Sequence, residues 1–343
     1  MARVYQFTAG PAEAGQRLDR FLVRHLPSTL SRTVIQRGIA QGIVTINEQP
    51  AKAHRALRQG DVVRVRCEWL AAEPNQVLKP QPIPLEIVYE DAQLLVVNKP
   101  PGLVTHPAPG HWDGTLVNAI LWHWGAGGGE PALQRAGIVH RLDKDTSGLL
   151  LVAKTVRAHT MLSRQLKDRT MSRGYVALAE GELPYNEGTI RAAIGRHHVH
   201  RKVMAVQYLG GRAAVSHYRV VKRVSAEALT PDIHRPLPLH AYSILDISLE
   251  TGRTHQIRVH LAHIGHPVVG DITYGHRPVS FWAAMGVSRQ MLHAYRLQFR
   301  HPATGQPVLL IAPVPPDMQP WLGNLDVGAW AVRRPGRPGR VHH

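Results

Sequence analysis

The chain has 343 residues, room for two domains, and its 44% apolar and 19% charged content is that of a soluble globular protein. It has no apolar run of about 18 residues, and Met1–Gly10 lacks an apolar core with a cleavage site, so neither a membrane span nor a leader peptide is expected. The single cysteine, Cys67, excludes an internal disulfide and a cysteine-based zinc site and fits a reducing cytoplasm, while a formal charge of +17 draws polyanions such as nucleic acid.

The basic excess is clustered, as a merely solubilising charge would not be: residues 1–70 carry 11 Lys and Arg against 5 Asp and Glu. In this first segment Leu18, Phe21, Leu22 and Leu26 recur at helical spacing until Pro27 ends the pattern. Ser31 can cap a second short helix through Ile35, which Gly38 is expected to stop. Ile43–Asn47 and Asp61–Arg66 read as strands, with a turn near Asn47 to Pro50. A small domain over residues 1–70 follows. Residues 71–84 hold four prolines without periodicity and read as a semi-rigid linker.

An α/β segment then runs over residues 85–320. Strands are predicted at Leu85–Tyr89, Leu94–Val97, Leu149–Ala153, Arg173–Ala179 and Asp246–Leu249. Helices are predicted at Thr115–Trp124 behind an Asp113-Gly114 cap, at Val156–Leu166 and at Thr254–Ile264. Val221–Tyr242 and His276–Ser288 read as loops, and residues 325–343 as a basic Pro/Gly tail expected to be disordered.

The stretch Gly137–Gly148 carries the densest chemistry. From His140 to Gly148 five of nine residues are ionisable, yet apolar Ile138-Val139 and Leu149–Val152 bracket them. Such a loop holds charges near the interior, where hydrogen bonds are directional. Asp145 to Gly148 fits an ordinary turn, with Asp145, Thr146 and Ser147 bonding local backbone and Gly148 supplying a positive φ. Asp143, beside two cations, is a candidate nucleophile, general base or metal ligand. With Asp145 it also admits a glycosidase-like carboxylate pair, but the positive charge suits a polyanion better than a neutral glycan.

In His140-Arg-Leu-Asp-Lys-Asp-Thr-Ser-Gly148 the chain resembles the signature of the RluA-type pseudouridine synthases. Further blocks resemble the same family in order: Val97–Pro107, Arg173–Gly181, Leu249–Ala262, and Leu292–Ala294 with Phe299–Pro302. The N-terminal segment, with Arg17-Leu-Asp19, Leu30-Ser-Arg32 and Gly60-Asp61, resembles an S4 RNA-binding domain. The combination is most similar to the branch that modifies large-subunit ribosomal RNA. The resemblance implies an α/β fold of the α+β type: a small S4-like domain, then a catalytic domain on a mixed, mainly antiparallel sheet with flanking helices.

The resemblance also implies the reaction, isomerisation of uridine to pseudouridine without metal or cofactor. The C–N glycosidic bond breaks, the uracil turns, and it rejoins the sugar through carbon. Asp143 matches the catalytic aspartate, which either adds to the sugar or removes a sugar proton. Arg258 matches the arginine that pairs with it, an opposite charge that favours the carboxylate form. Tyr175, otherwise readable as a strand aromatic in a core, matches the residue that stacks on the uracil and assists the final proton removal. Arg141 matches an arginine that enters the RNA stack as the target base is flipped.

In the S4-like segment the candidate RNA-binding residues are Arg17, Arg20, Arg24, Arg32 and Arg37, with Arg20 and Arg24 one helical turn apart. A folded stem-loop recognised by shape is the expected ligand. Among 22 histidines, the pair His260/His263 has a spacing that suits a metal, but no acid or cysteine completes a ligand set, so structural or RNA-facing roles are expected. Gly125–Gly129 lacks the ending of a phosphate loop. The expected partner is RNA, with no membrane and no metal, for a monomer working in the cytoplasm. Rival readings are a synthase for transfer RNA or other ribosomal uridines, and a non-catalytic RNA-binding assembly factor.

Overall fold

A computed structural model describes residues 4–26, 32–66, 78–107, 112–125, 134–200, 203–225 and 241–330. The chain divides into two compact units between Val77 and Leu78.

The first unit is a sheet of β1 (Val4–Thr8), β2 (Val44–Ile46), β3 (Gln49–Pro50) and β4 (Val62–Arg66), in the order β1-β4-β2-β3 and antiparallel throughout. Two helices, α1 (Leu18–His25) and α2 (Arg32–Ala40), share its core, where Leu18, Phe21, Leu22, Ile35 and Ile39 meet Val44, Ile46, Val63 and Val65. Contrary to the expectation from sequence, Gly38 does not stop α2. Ile35 and Ile39 lie one turn apart on the buried face, and their burial outweighs the cost of about 1 kcal/mol for a helical glycine. Asn47 and Glu48, both at positive φ, form the two-residue turn between β2 and β3. Strand β1 escaped the sequence reading because it is mostly exposed and carries little apolar alternation. The proposed caps Pro27 and Ser31 lie outside the described residues.

The second unit is built on nine strands: β5 (Glu86–Glu90), β6 (Leu94–Lys99), β7 (Ser147–Ala153), β8 (Ser172–Glu180), β9 (Glu187–Arg191), β12 (Val215–Ser225), β13 (Ala241–Leu249), β14 (Leu292–Arg300) and β15 (Pro307–Ile311). Their order is β5-β6-β7-β14-β8-β13-β12-β9, with β15 on β14. Only β7 and β14 run parallel, so the sheet is mixed and mainly antiparallel. A separate hairpin joins β10 (Ile194–Arg196) to β11 (Met204–Val206).

Strands β6 and β7 are continuous apolar runs because both faces are covered. Leu95, Val97, Leu150 and Val152 point to one core with helix α3 (Leu116–Trp124), whereas Leu94, Val96, Leu149 and Leu151 point to another with helix α4 (Val156–Lys167). Helix α3 starts on Thr115, whose capping box with Asn118 replaces the expected Asp113-Gly114 cap. Thr155 caps α4 through the Ala158 amide.

Three other expectations need correction. The loop expected at Val221–Tyr242 is bounded more narrowly: its first residues, to Ser225, continue β12 and its last two begin β13, while residues 226–240 lie outside the described set. Lys222 and Arg223 disguised that strand: Lys222 is exposed, while Arg223 is half-buried and donates to Leu183 O and Asn186 Oδ1. His276–Ser288 contains helix α6 (Val279–Ala284), anchored by buried Trp282; helix α5 (Gln256–His263) precedes it. The core also continues past residue 320, since Leu322, Val327 and Trp330 are buried in it. The segment 325–330 therefore packs rather than joining a tail, and residues 331–343 lie outside the described set.

Candidate active site

The loop between Ile138 and β7 carries Asp143, and each carbonyl around it is held. Leu142 O accepts from Thr105 Oγ1 (2.7 Å), Asp143 O from the Thr146 amide (3.1 Å), Lys144 O from Lys99 Nζ (2.9 Å) and Asp145 O from Arg289 Nη1 (3.1 Å). The Thr146 amide closes that local turn, but the side chains of Thr146 and Ser147 bond outside it rather than to local backbone. Ser147 Oγ reaches His293 Nδ1 across the parallel β7–β14 pair (2.9 Å), and Gln290 Nε2 donates to Thr146 Oγ1. Gly148 at φ +113° lets those strands close, because a β-carbon there would stand 2.2 Å from Ala294 O. Sequence and packing together make this a rigid pedestal for one carboxylate.

Lys99 is fully buried and donates three hydrogen bonds, to Pro100 O, Leu103 O and Lys144 O. Burial pushes its amine down to about 7, while the charges of Asp145 and Asp143 oppose that fall.

Asp143 faces a cleft of about 590 Å³ lined also by Arg141, Arg173, Tyr175, His255 and Arg258. Arg258, on α5, donates from Nη1 to Asp143 Oδ2 at 3.3 Å. Its other nitrogens go to Asp271, Nε to Oδ2 at 2.6 Å and Nη2 to Oδ1 at 2.9 Å. Asp271 is fully buried and also accepts from the amides of Thr273 and Tyr274. Burial works against the Arg258 charge, but the hydrogen bonds and charge of Asp271 and the charge of Asp143 raise its pKa overall. The ring of Tyr274 lies under the guanidinium at 5.0 Å.

His255, left-handed at φ 56°, starts α5 and sets its Nε2 4.0 Å from Asp143 Oδ1. Its Nδ1 is 2.7 Å from Tyr274 Oη, which itself accepts from the Met204 amide at 3.0 Å. Tyr175, in the middle of β8, is 4% exposed and forms part of the cleft wall. Burial raises its phenol pKa; Arg173 opposes that rise and Asp143 adds to it. Arg141 is exposed at the rim.

The three residues singled out as catalytic, Asp143, Tyr175 and Arg258, thus share one cleft. Asp271, Tyr274, Lys99 and Arg289 were missed. The available signal was Asp271 directly behind the apolar run Pro267-Val-Val-Gly270, an acid that must be either exposed or paired.

In the first unit, Asp19 is fully buried and accepts from Arg17 (3.1 Å), Arg32 (2.7 Å) and Gln36 (2.7 Å). Burial alone would raise its pKa, but those donors hold it well below the usual carboxylate range. Arg17 and Arg32 are therefore partly committed to an internal acid, whereas Arg20, Arg24 and Arg37 are exposed.

Both ring nitrogens of buried His260 are engaged, Nε2 with Ala192 O and Nδ1 with Ser216 Oγ. Among the described residues no group of three or more His, Cys, Asp or Glu could hold a metal ion, and no helix is long and apolar enough to cross a membrane.

A mixed sheet presents one anchored carboxylate in a cleft lined by arginines, a setting suited to an anionic substrate. Residues 93–263 match the family model described as RNA pseudouridylate synthase, and residues 16–63 match the S4 domain. Ribosomal large subunit pseudouridine synthase D of Neisseria meningitidis serogroup A is 43% identical over 325 residues, 92% of this chain and 80% of that one. The protein of the same name from Nitrosomonas europaea is 44% identical over 311 residues, 89% and 83% of the two chains. Among solved structures, human RNA Pseudouridylate Synthase Domain Containing 1 superposes with a TM-score of 0.51 at 30% identity, covering 67% of this chain and 83% of that one. The chain belongs to the RNA pseudouridylate synthase family, and it is an isomerase acting on RNA.

Proposed function

We propose that the protein converts specific uridines of large-subunit ribosomal RNA to pseudouridine, with Asp143 as its catalytic carboxylate. The observation that carries this reading is the anchored geometry of Asp143: four tied carbonyls behind it, and Arg258, itself held by Asp271, in front. The names of the relatives supply the ribosomal substrate.

In this reading uracil stacks on Tyr175 with its sugar toward Asp143. The bond from N1 to C1′ breaks and the bond from C5 to C1′ forms. The C5 proton leaves and N1 gains one, so the atoms balance as an isomerisation. Arg258 keeps the Asp143 carboxylate oriented by a charge-assisted hydrogen bond in a site of low dielectric. Tyr175 assists removal of the C5 proton, and Arg141 fills the stack that the flipped base vacates. The S4 unit supplies affinity through Arg20, Arg24 and Arg37, with Arg17 and Arg32 shaping the same surface from their Asp19 clamp. The protein acts as a monomer in the cytoplasm.

The test is to map pseudouridines in ribosomal and transfer RNA of cells expressing the wild type, the Asp143→Asn variant or neither. Large-subunit sites restored by wild type alone are expected. Restoration by D143N overturns the assignment of Asp143, and sites confined to transfer RNA overturn the substrate.

A further inference from the structure

Arg173 precedes Tyr175 by two residues in β8, so both side chains leave the strand on one face, with α-carbons about 7 Å apart. Both line the cleft. Arg173 is only 6% exposed, yet it forms no ion pair among the described residues. Its Nη2 makes a long hydrogen bond to Thr251 O, 3.4 Å, and its Nε is buried with no partner among those residues. Its neighbours differ. Arg258 is met by Asp271 and Asp143, Arg289 by Asp317, and Arg169, on the same cleft wall, by Glu250 at 2.5 Å. Buried Arg296, which also has an unpartnered Nε, packs on the ring of Tyr295 and is not part of the cleft lining.

The loop over Arg173 is shaped to leave its guanidinium room. Gly252 lies so close that a β-carbon there would stand 2.9 Å from Nη1. A buried guanidinium without a counter-ion is costly, and it is tolerated where a ligand brings the missing charge. Its planar fork matches an oxyanion.

We propose that Arg173 is an oxyanion-binding residue of the cleft, receiving an oxygen of the target nucleotide beside the base on Tyr175. That oxygen is a non-bridging phosphate oxygen, or a carbonyl oxygen of the uracil that takes up negative charge as the bond from N1 to C1′ breaks. The inference rests on the reading of the cleft as the uridine site.

The experiment uses full-length Arg173→Met and Arg173→Lys proteins on in vitro transcribed large-subunit ribosomal RNA. Affinity, single-turnover rate and melting temperature of the free protein are read for each. Removing an uncompensated buried charge should leave the melting temperature of R173M equal or higher, while its catalytic efficiency falls about 10- to 100-fold. R173K, which keeps charge but not the fork, should fall between. If the oxygen is a phosphate's, affinity drops and the salt slope shrinks by about 0.7 to 0.9 in R173M. If it belongs to the base, affinity and slope hold and the rate alone drops. Wild-type rate and affinity in R173M overturn the proposal, as does an activity loss that merely follows a lowered melting temperature. A wild-type protein that forms no pseudouridine in this RNA overturns the functional reading, and this one with it.

Discussion

Arg258 and Asp271 meet through two parallel hydrogen bonds, 2.6 and 2.9 Å long, in a pair almost wholly removed from solvent. Asp271 touches neither Asp143 nor open cleft in this arrangement, yet it fixes the plane of the guanidinium whose last nitrogen reaches Asp143. Breaking one partner of a buried pair typically costs about 3–5 kcal/mol, because the other charge stays buried. Asp271→Asn should therefore lower the melting temperature measurably. It should also slow single-turnover isomerisation at least about 10-fold while leaving RNA affinity within about twofold. Wild-type turnover in D271N would show that Arg258 needs no anchor.

The relay from Met204 to His255 predicts a tautomer. Tyr274 Oη accepts the Met204 amide proton, so its own proton is free for His255 Nδ1. The imidazole must then carry its hydrogen on Nε2, the nitrogen 4.0 Å from Asp143 Oδ1. Burial favours this neutral ring, against the pull of the Asp143 charge and with help from Arg258 and Arg141. Nitrogen-15 spectra, assigned by difference against His255→Gln, should show Nδ1 bare and Nε2 protonated. Tyr274→Phe keeps the ring under Arg258 but loses the donor, and about a tenfold lower single-turnover rate is expected at unchanged RNA affinity. A protonated Nδ1 would sink this account.

These contacts explain what the sequence could and could not disclose. Strands β6 and β7 and helices α1 and α4 were legible because their apolar spacing is local and strong. Strand β12 was not, since its basic residues, which break the apolar pattern, find partners such as Asp246 and Asn186 only in the folded chain. Asp143 stood out within a charged loop between apolar runs, but its chemistry stayed open until a family pattern joined it to Arg258, 115 residues away. Lys99 supports the Asp143 loop across 45 residues and Asp271 orients Arg258 across 13. No periodicity encodes such pairings. They follow from the β6–β7 pairing and the turn after α5, which exist only in the folded chain.

Two buried histidines make stability depend on mild acid. Burial depresses His140 to about 3 and His293 to about 4, from an ordinary value of 6.5. Both are neutral when folded, and His140 Nε2 accepts from the Leu151 amide at 3.2 Å. Below pH 6.5 the unfolded chain binds protons that the folded one does not, so stability falls as pH drops from 6.5 toward 4. Above 6.5 neither histidine contributes. Each adds a slope of at most about 1.4 kcal/mol per pH unit. Urea unfolding from pH 7 to 5 should show this decline, in a range where carboxylates add little. His293→Asn should flatten it by one proton, and an unchanged slope would mean that His293 is not held neutral.

The Asp19 clamp sets Arg17 and Arg32 apart among the five candidate RNA-binding arginines of the first unit. Arg20 and Arg24 project from an exposed face of α1, without an acid in contact among the described residues, and phosphate binding suits them. Arg17 and Arg32 instead neutralise a fully buried carboxylate. Substituting Arg20 and Arg24 together by Ala should leave the melting temperature nearly unchanged. The slope of log affinity against log salt should shrink by roughly 1.4 to 1.8, the release of two counterions. Arg32→Ala should do the reverse, lowering the melting temperature because Asp19 keeps its buried charge with one donor fewer. Equal salt slopes for the wild type and the Arg20/Arg24 double variant, measured on the same RNA, would remove this face of α1 from the interface.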